Sequence, residues 1–260
     1  MNFRGRFTDL AVNLGAYGIY RPEPLGVVDL MGNATADGVY NDGAQMSGPH
    51  SPDSLATIGG ANGLALDGVN DYVDLAIAGL GALLVNGYSM FCSFSAFTSA
   101  GAHRSFGPSR QQNSGFSFRQ SSGGVWHVIG HNEANATFLA AKVTMSPNLN
   151  DGKFHTAGIS WKESANTLLF YFDGVEQTTT YSTQVAHGAF GAGGIWQIGA
   201  HGGGSWDGVA FIGHNSTFNR DLTAAEQLDL YRAATGVRSQ WRTMPYGRPA
   251  VKHNPGGEPV

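Results

Sequence analysis

"TLLFYFDGVEQTTTYS", residues 167–182, decides the fold. Asp173-Gly174 has the composition of a two-residue type I′ turn, because both central positions need positive φ, and extended residues flank it on each side. Pairing across this turn sets Phe172 opposite Val175 and Phe170 opposite Gln177, so that Leu168, Phe170 and Phe172 share one face of a strand. Working outward, "KFHTAGISW" (153–161) precedes the hairpin and is separated from it by "KESAN" (162–166). "GFSFRQ" (115–120) and "GVWHVIGH" (124–131) alternate in the same way. "YSMFCSFSAFTS" (88–99) places Phe91 with Ser89, Ser93 and Ser95 on one face, and Met90, Cys92, Phe94 and Ala96 on the other. "IWQIGA" (195–200) and "WDGVAFIGHNSTF" (206–218) complete the strand candidates.

One helix is legible. "LTAAEQLDLYRAATG" (222–236) opens with Thr223 and has Glu226 three residues later, a capping box, and Gly236 stops it. Strands at near-regular spacing without βαβ alternation predict an all-β fold. The pattern by itself leaves an antiparallel sandwich or barrel, with one short C-terminal helix and extended terminal arms. The expected organisation is an N-terminal arm over 1–12, a β domain over 13–236 and an extended C-terminal arm over 237–260.

Composition agrees. The 260 residues include 38 glycines, only 13% are charged, and the formal net charge is −4. That balance makes no electrostatic case for nucleic acid. No apolar run reaches the length of a membrane span, and the first twenty residues lack the continuous apolar core of a signal peptide. Cys92 is the single cysteine, which excludes an intramolecular disulfide and a thiolate zinc site.

Four stretches, taken in order, resemble the LamG-like jelly-roll family, the concanavalin A-like two-sheet sandwiches. They are "VVDLMGNATADGVYNDG" (27–43), "ALDGVNDYVDL" (65–75), "DGKFHTAGISWKESANTLLFYFDGVEQ" (151–177) and "WDGVAFIGHNSTFNRDLTAAEQLDLY" (206–231). The closing strand departs from the family, because Val209-Ala210-Phe211 stands where an acidic residue usually follows Trp-x-Gly. In "GLALDGVNDYVDL" (63–75), the polar residues Asp67, Asn70 and Asp71 suit a hairpin turn between two core strands. The resemblance adds a second reading, a calcium loop. These three side chains would supply part of the six to eight oxygens that calcium takes.

Catalytic patterns are weak. No two glutamates have the two- or four-residue spacing that would place a glycosidase pair on one strand face, and no Gly-x-Ser-x-Gly elbow occurs. His127 and His131 share a strand face, but four residues at ~3.3 Å each put them ~13 Å apart, too far to share an ion. His201 and His214 flank the Trp206 segment and could meet across a hairpin. Of the aromatic candidates for stacking on a sugar, Trp126, Trp161, Trp196 and Trp206, the second and third sit in strand patterns as core residues. Trp206, in a glycine-rich loop, is the best placed to be exposed.

The expectation is therefore a non-enzyme. The resemblance implies a bacteriophage virion structural protein, assembled in the host cytoplasm and displayed on the virion surface, most naturally as a capsid decoration or cement protein. A tail- or fibre-associated adhesin and a carbohydrate-binding module, calcium-dependent or not, are the alternatives. Expected partners are the major capsid protein, neighbouring copies of the chain in a homo-oligomer, and host-surface glycans. Nucleic acid and membrane are not expected. In the C-terminal arm, Arg238, Trp241, Arg242, Tyr246 and Arg248 are of the types that anchor interfaces, and they form the expected partner-binding segment.

Overall fold

Side chains that alternate between apolar and polar can bury one face only by layering sheet on sheet. The computed structural model describes residues 3–23, 26–31, 34–41, 45–47, 63–67, 72–78, 83–96, 114–121, 124–145, 149, 151, 153–191, 193–199 and 209–236. Its elements run α1 (Phe3–Asn13), β1 (Ala16–Glu23), β2 (Gly26–Asp29), β3 (Ala34–Asn41), β4 (Gln45–Ser47), β5 (Gly63–Asp67), β6 (Tyr72–Ala78), β7 (Tyr88–Ala96) and β8 (Gly115–Gln120). They continue with β9 (Val125–His131), β10 (Thr137–Thr144), β11 (Phe154–Lys162), β12 (Thr167–Phe172), β13 (Val175–Gln177), β14 (Thr180–Gln184), β15 (Gly193–Ile198), β16 (Val209–Phe218) and α2 (Ala224–Thr235).

Every pairing between these named strands is antiparallel. The longer ladder runs β13-β12-β11-β7-β16-β1-β2-β3-β6-β15, with β5 also on β16 and β4 on β5. The shorter runs β14-β10-β9-β8. The hairpin at 173–174 forms as its sequence predicts, with Phe172 opposite Val175 and Phe170 opposite Gln177. Asp173 (φ 48°) and Gly174 (φ 75°) take the left-handed backbone of a type I′ turn.

Between the layers lies the main core. Tyr88, Met90, Cys92 and Phe94 of β7, Ile159 and Trp161 of β11, and Leu168, Phe170 and Phe172 of β12 face Phe116 and Phe118 of β8 and Trp126 and Val128 of β9. Trp126 packs against Phe94 at 5.4 Å, Phe118 at 5.2 Å and Phe172 at 4.9 Å between ring centroids. Tyr88 meets Phe116 at 5.2 Å and Trp196 of β15 at 5.5 Å. Burial pushes the Cys92 thiol far above its usual range, so it behaves as a small apolar side chain.

Two sequence readings are corrected. The stretch 63–75 is not a hairpin: β5 pairs with β4 and β16, whereas β6 pairs with β3 and β15. Turn-forming residues fix a change of direction but not the partner on which the next strand lands. The N-terminal arm is in fact a helix. Phe7, Leu10, Ala11 and Leu14 recur at i, i+3, i+4 and i+7, and they pack with Ala16, Ile19, Phe91, Phe218, Leu222, Leu230 and Ala234 into a second apolar cluster. This cluster lies on the face of β7 opposite the main core, which makes α1 and α2 a third layer behind the longer ladder. Phe7 stacks on His214 at 4.4 Å and lies 5.5 Å from Phe91. The expected C-terminal arm, 237–260, lies outside the described residues.

The C-terminal helix forms as read. Thr223 and Glu226 make the reciprocal capping box, and Gly236 (φ 71°) closes the other end. Arg220 grips Glu226 through both guanidinium nitrogens, at 2.8 and 3.1 Å, and donates to the Leu14 carbonyl at 2.9 Å, tying the start of α2 to the end of α1. Gln227, buried, donates from Nε2 to the Ile159 carbonyl and to Ser160 Oγ, both at 3.2 Å. Gly158 makes room for it, since a Cβ there would stand 2.3 Å from Gln227 Oε1.

Phe7 is 1% exposed, so Phe7→Ala should lower unfolding free energy in urea by about 3–5 kcal/mol, the range for a phenylalanine removed from a core. A loose arm would give no measurable change.

Candidate binding face

The shorter ladder has an outer face that is exposed at Lys142, Thr144, Thr180 and Ser182 and covered at Ser117, and its inward residues define which face that is. Phe116 and Phe118 of β8, Trp126 and Val128 of β9, and Leu139, Ala141 and Val143 of β10 all point into the main core. The intervening side chains therefore point outward. Register brings three of them into one row across the strands: Arg119 lies opposite His127, and His127 lies opposite Lys142. Lys142 in turn lies opposite Thr180 of β14. Directly opposed residues on one face are in contact range of each other. His131 stands four residues along β9 on the same face as His127. None of the four strands contains an aspartate or glutamate, although the chain as a whole carries a net charge of −4.

Burial holds the Arg119 guanidinium below its usual range. Burial lowers the His131 pKa; the Asn135 carbonyl 3.4 Å away opposes it, and the Arg119 charge adds a smaller downward effect. His127 Nε2 is 3.1 Å from Ser121 Oγ. Lys142 is exposed and makes no ion pair with a described residue. Beside it, where the chain passes from β13 to β14, Lys142, Val143, Thr144, Gln177, Thr178 and Thr180 line a depression of about 390 Å³. That is within the size range of small-ligand sites. A row of cations ending in hydroxyls and an amide suits a polar, negatively charged ligand.

Other clusters are internally satisfied. His155 lies between two carboxylates, with Nδ1 2.8 Å from Asp173 Oδ2 and Nε2 3.0 Å from Asp151 Oδ1. Asp173 also accepts from the Thr156 amide at 2.8 Å, which pins the hairpin turn to β11. Asp151 and Asp173 converge, but the imidazole fills the space between them, so no sugar bond could enter between the two. At the opposite end of β11, His187 stacks on Phe190 at 4.8 Å, reaches Glu163 at 2.7 Å, and sits edge-on to Trp161 and Phe138.

The residues singled out in the sequence fare unevenly. Asp67 closes β5, opposite Val209, whereas Asn70 and Asp71 lie outside the described residues, as do Trp206, His201, Arg238, Trp241, Arg242, Tyr246 and Arg248. Among the described residues no group of three or more His, Cys, Asp or Glu is placed to hold a metal ion. Trp126 is corrected as a sugar-stacking candidate: it is fully buried, as are Trp161 and Trp196, which were read as core. His214 does not meet a second histidine among the described residues but stacks on Phe7. Among the described residues no helix is long and apolar enough to cross a membrane. The basic row was missed because Arg119, His127 and Lys142 are distant in sequence and only the register joins them.

No model of a known protein family matches the chain, and no curated protein matches it in sequence. Solved structures do resemble it. One is the binding domain of botulinum neurotoxin serotype D, at 13% identity and a TM-score of 0.63, over 84% of this chain and 51% of that one. The serotype D ligand-binding domain in complex with N-acetylneuraminic acid aligns at 12% identity and a TM-score of 0.61, over 87% of this chain and 52% of that one. The binding domain of botulinum neurotoxin DC in complex with rat synaptotagmin II aligns at 13% and 0.63, over 86% and 52%. The chain thus spans about half the length of those domains, and at such identities the likeness is one of fold: an antiparallel β-sandwich of jelly-roll type.

Burial alone would lower the His155 pKa, but the hydrogen bonds and charges of Asp173 and then Asp151 outweigh it, and the net shift is upward. Asp151 is itself held at about 2; its slight burial acts upward, but the Lys153 amide and the His155 and Lys153 side chains prevail. The imidazolium therefore stabilises the fold fully below the pKa of free imidazole, about 6.5, and that contribution is lost as pH rises through the raised value. Melting temperatures of the wild type and His155→Gln should differ most at pH 5.5 and converge toward pH 9. A gap independent of pH would contradict the clamp.

Proposed function

We propose that this chain is a non-enzymatic binding module that acts through the surfaces it presents, displayed on a bacteriophage virion, with capsid decoration or cementing as its position on the particle. The observation that carries the binding part is the outer face of the shorter ladder. It carries Arg119, His127 and Lys142 in one cross-strand row with Thr180, and it is mounted on a core filled by interlocked aromatic rings. Solved domains of similar fold, one in complex with N-acetylneuraminic acid and one with rat synaptotagmin II, support a surface-recognition role. The virion setting rests on the ordered resemblance of 27–43, 65–75, 151–177 and 206–231 to LamG-like domains. A fold held together without any disulfide is compatible with assembly in a host cytoplasm. In this reading Arg238, Trp241, Arg242, Tyr246 and Arg248 anchor the chain to neighbouring copies or to the capsid lattice. Many copies on one particle let weak surface contacts add through avidity.

Quantitative mass spectrometry of particles purified from the native lysate tests this reading. Copy numbers on the order of hundreds per particle are expected. About a dozen or fewer would move the chain to the tail or a fibre, and absence from particles would refute the virion role. Deletion of 237–260 should leave a folded chain that no longer joins the particle; normal incorporation would refute the anchoring segment.

A further inference from the structure

We propose that Tyr181 and Gln184 of β14 seal an open edge of β12, and that the seal keeps a strand of a second copy of this chain from adding to the longer ladder. It holds whatever the chain binds and wherever it is displayed.

The edge arises because β13 is shorter than the strand it pairs with. β13 stops at Gln177, opposite Phe170, whereas β12 extends back to Thr167. Backbone groups on one side of a strand belong to alternate residues, so those of Leu168 face the same way as those of Phe170, away from β11. In continued register β13 would meet Leu168 with Thr179, but the chain there crosses to the shorter ladder and begins β14 at Thr180. The strand left with a bare end is "TLLFYF" (167–172), an uncharged run without proline or glycine. Six-residue segments of that character stack readily on copies of themselves, so a second copy of this chain is the partner to be excluded.

Side chains of β14 supply what the backbone of β13 no longer supplies. The Tyr181 hydroxyl accepts from the Leu168 amide and donates to the Leu168 carbonyl, both at 2.7 Å. Two residues farther back, Gln184 Nε2 donates to the Asn166 carbonyl at 2.8 Å, and Asn166 Nδ2 donates to the Val185 carbonyl at 2.6 Å. Burial raises the Tyr181 pKa, against an opposing effect of its bond with the Leu168 backbone, and so keeps the phenol protonated as a donor. The adjoining edges are guarded by other means. β13 is three residues long and carries Glu176, and β14 is bulged at Ser182, where its register with β10 shifts. Short strands, charges and bulges all discourage strand addition; β12 has none of these and depends on the two side chains.

Sedimentation velocity of the full chain over a range of concentrations tests the seal, together with amide exchange. Tyr181→Phe keeps the ring and removes the hydroxyl. Its Leu168 amide should exchange about tenfold faster than in the wild type, the scale of one net hydrogen bond. Its mean mass should rise with concentration above that of the wild type. Gln184→Ala, on an exposed residue, keeps the fold and should shift the mass in the same direction, and the double variant should shift it further. Phe7→Ala removes a ring from the separate apolar cluster under the helices. It destabilises the chain but leaves the seal intact, so below its melting temperature it should keep the wild-type mass. Wild-type masses for both Gln184→Ala and the double variant would overturn the proposal. So would equal association of Phe7→Ala, because the effect would then follow from lost stability alone.

Discussion

Trp126 holds the two sheets together. Its indole, fully buried, touches Phe94 and Phe172 of the longer ladder as well as Phe118 beside it. Aromatic pairs of this kind contribute about 0.5–1.5 kcal/mol each beyond the burial of their area. The geometric consequence matters more than the energy. Once Trp126 and Val128 point inward, His127, Ile129 and His131 must point outward, because a strand alternates with a period of two. The same constraint through Phe118 sets Arg119 outward, and through Leu139, Ala141 and Val143 it sets Lys142 outward. A register slip of one residue would bury the cations and expose the rings, so the core chooses the chemistry of the surface.

The opposite side of the longer ladder solves a different problem. Ser89 and Ser160 are buried there, and polar groups under cover must find partners. Ser89 accepts from the Leu222 amide at 2.8 Å, donates to the Arg220 carbonyl at 2.8 Å and lies 3.1 Å from Ser160. Ser160 and the Ile159 carbonyl in turn receive Gln227. The helices thus sit over a hydrogen-bonded strip flanked by the apolar cluster of Phe7 and Leu230, which fixes their position on the sheet.

Local chemistry was legible in the sequence wherever it decides the outcome by itself. The Asp173-Gly174 turn, the alternation of β7 and the Thr223 capping box all act over a few residues, and the structure reproduces them. Long-range pairing was not legible. Residues 65–75 read as a hairpin because turn residues announce a reversal, yet β5 and β6 find different partners whose identity no local residue encodes. The helix at the N-terminus was hidden for another reason: Gly5, Thr8 and Asn13 dilute an apolar stripe that becomes persuasive only once Phe91 and Phe218 are seen to need covering. The basic row shares this character. His127 was read against His131 on its own strand, whereas its structural neighbours are Arg119 and Lys142 on the strands to either side.

The central claim is that a rigid, aromatic-locked body presents a ready-made face. Hydrogen–deuterium exchange resolved by peptide tests it most directly, since amides locked by the core open only when the whole domain unfolds. The account predicts that β9 and β10 exchange as slowly as β11, with one common opening free energy. Faster exchange of β9 and β10 while β11 and β12 stay protected would mean that the shorter ladder opens by itself, and it would contradict the claim.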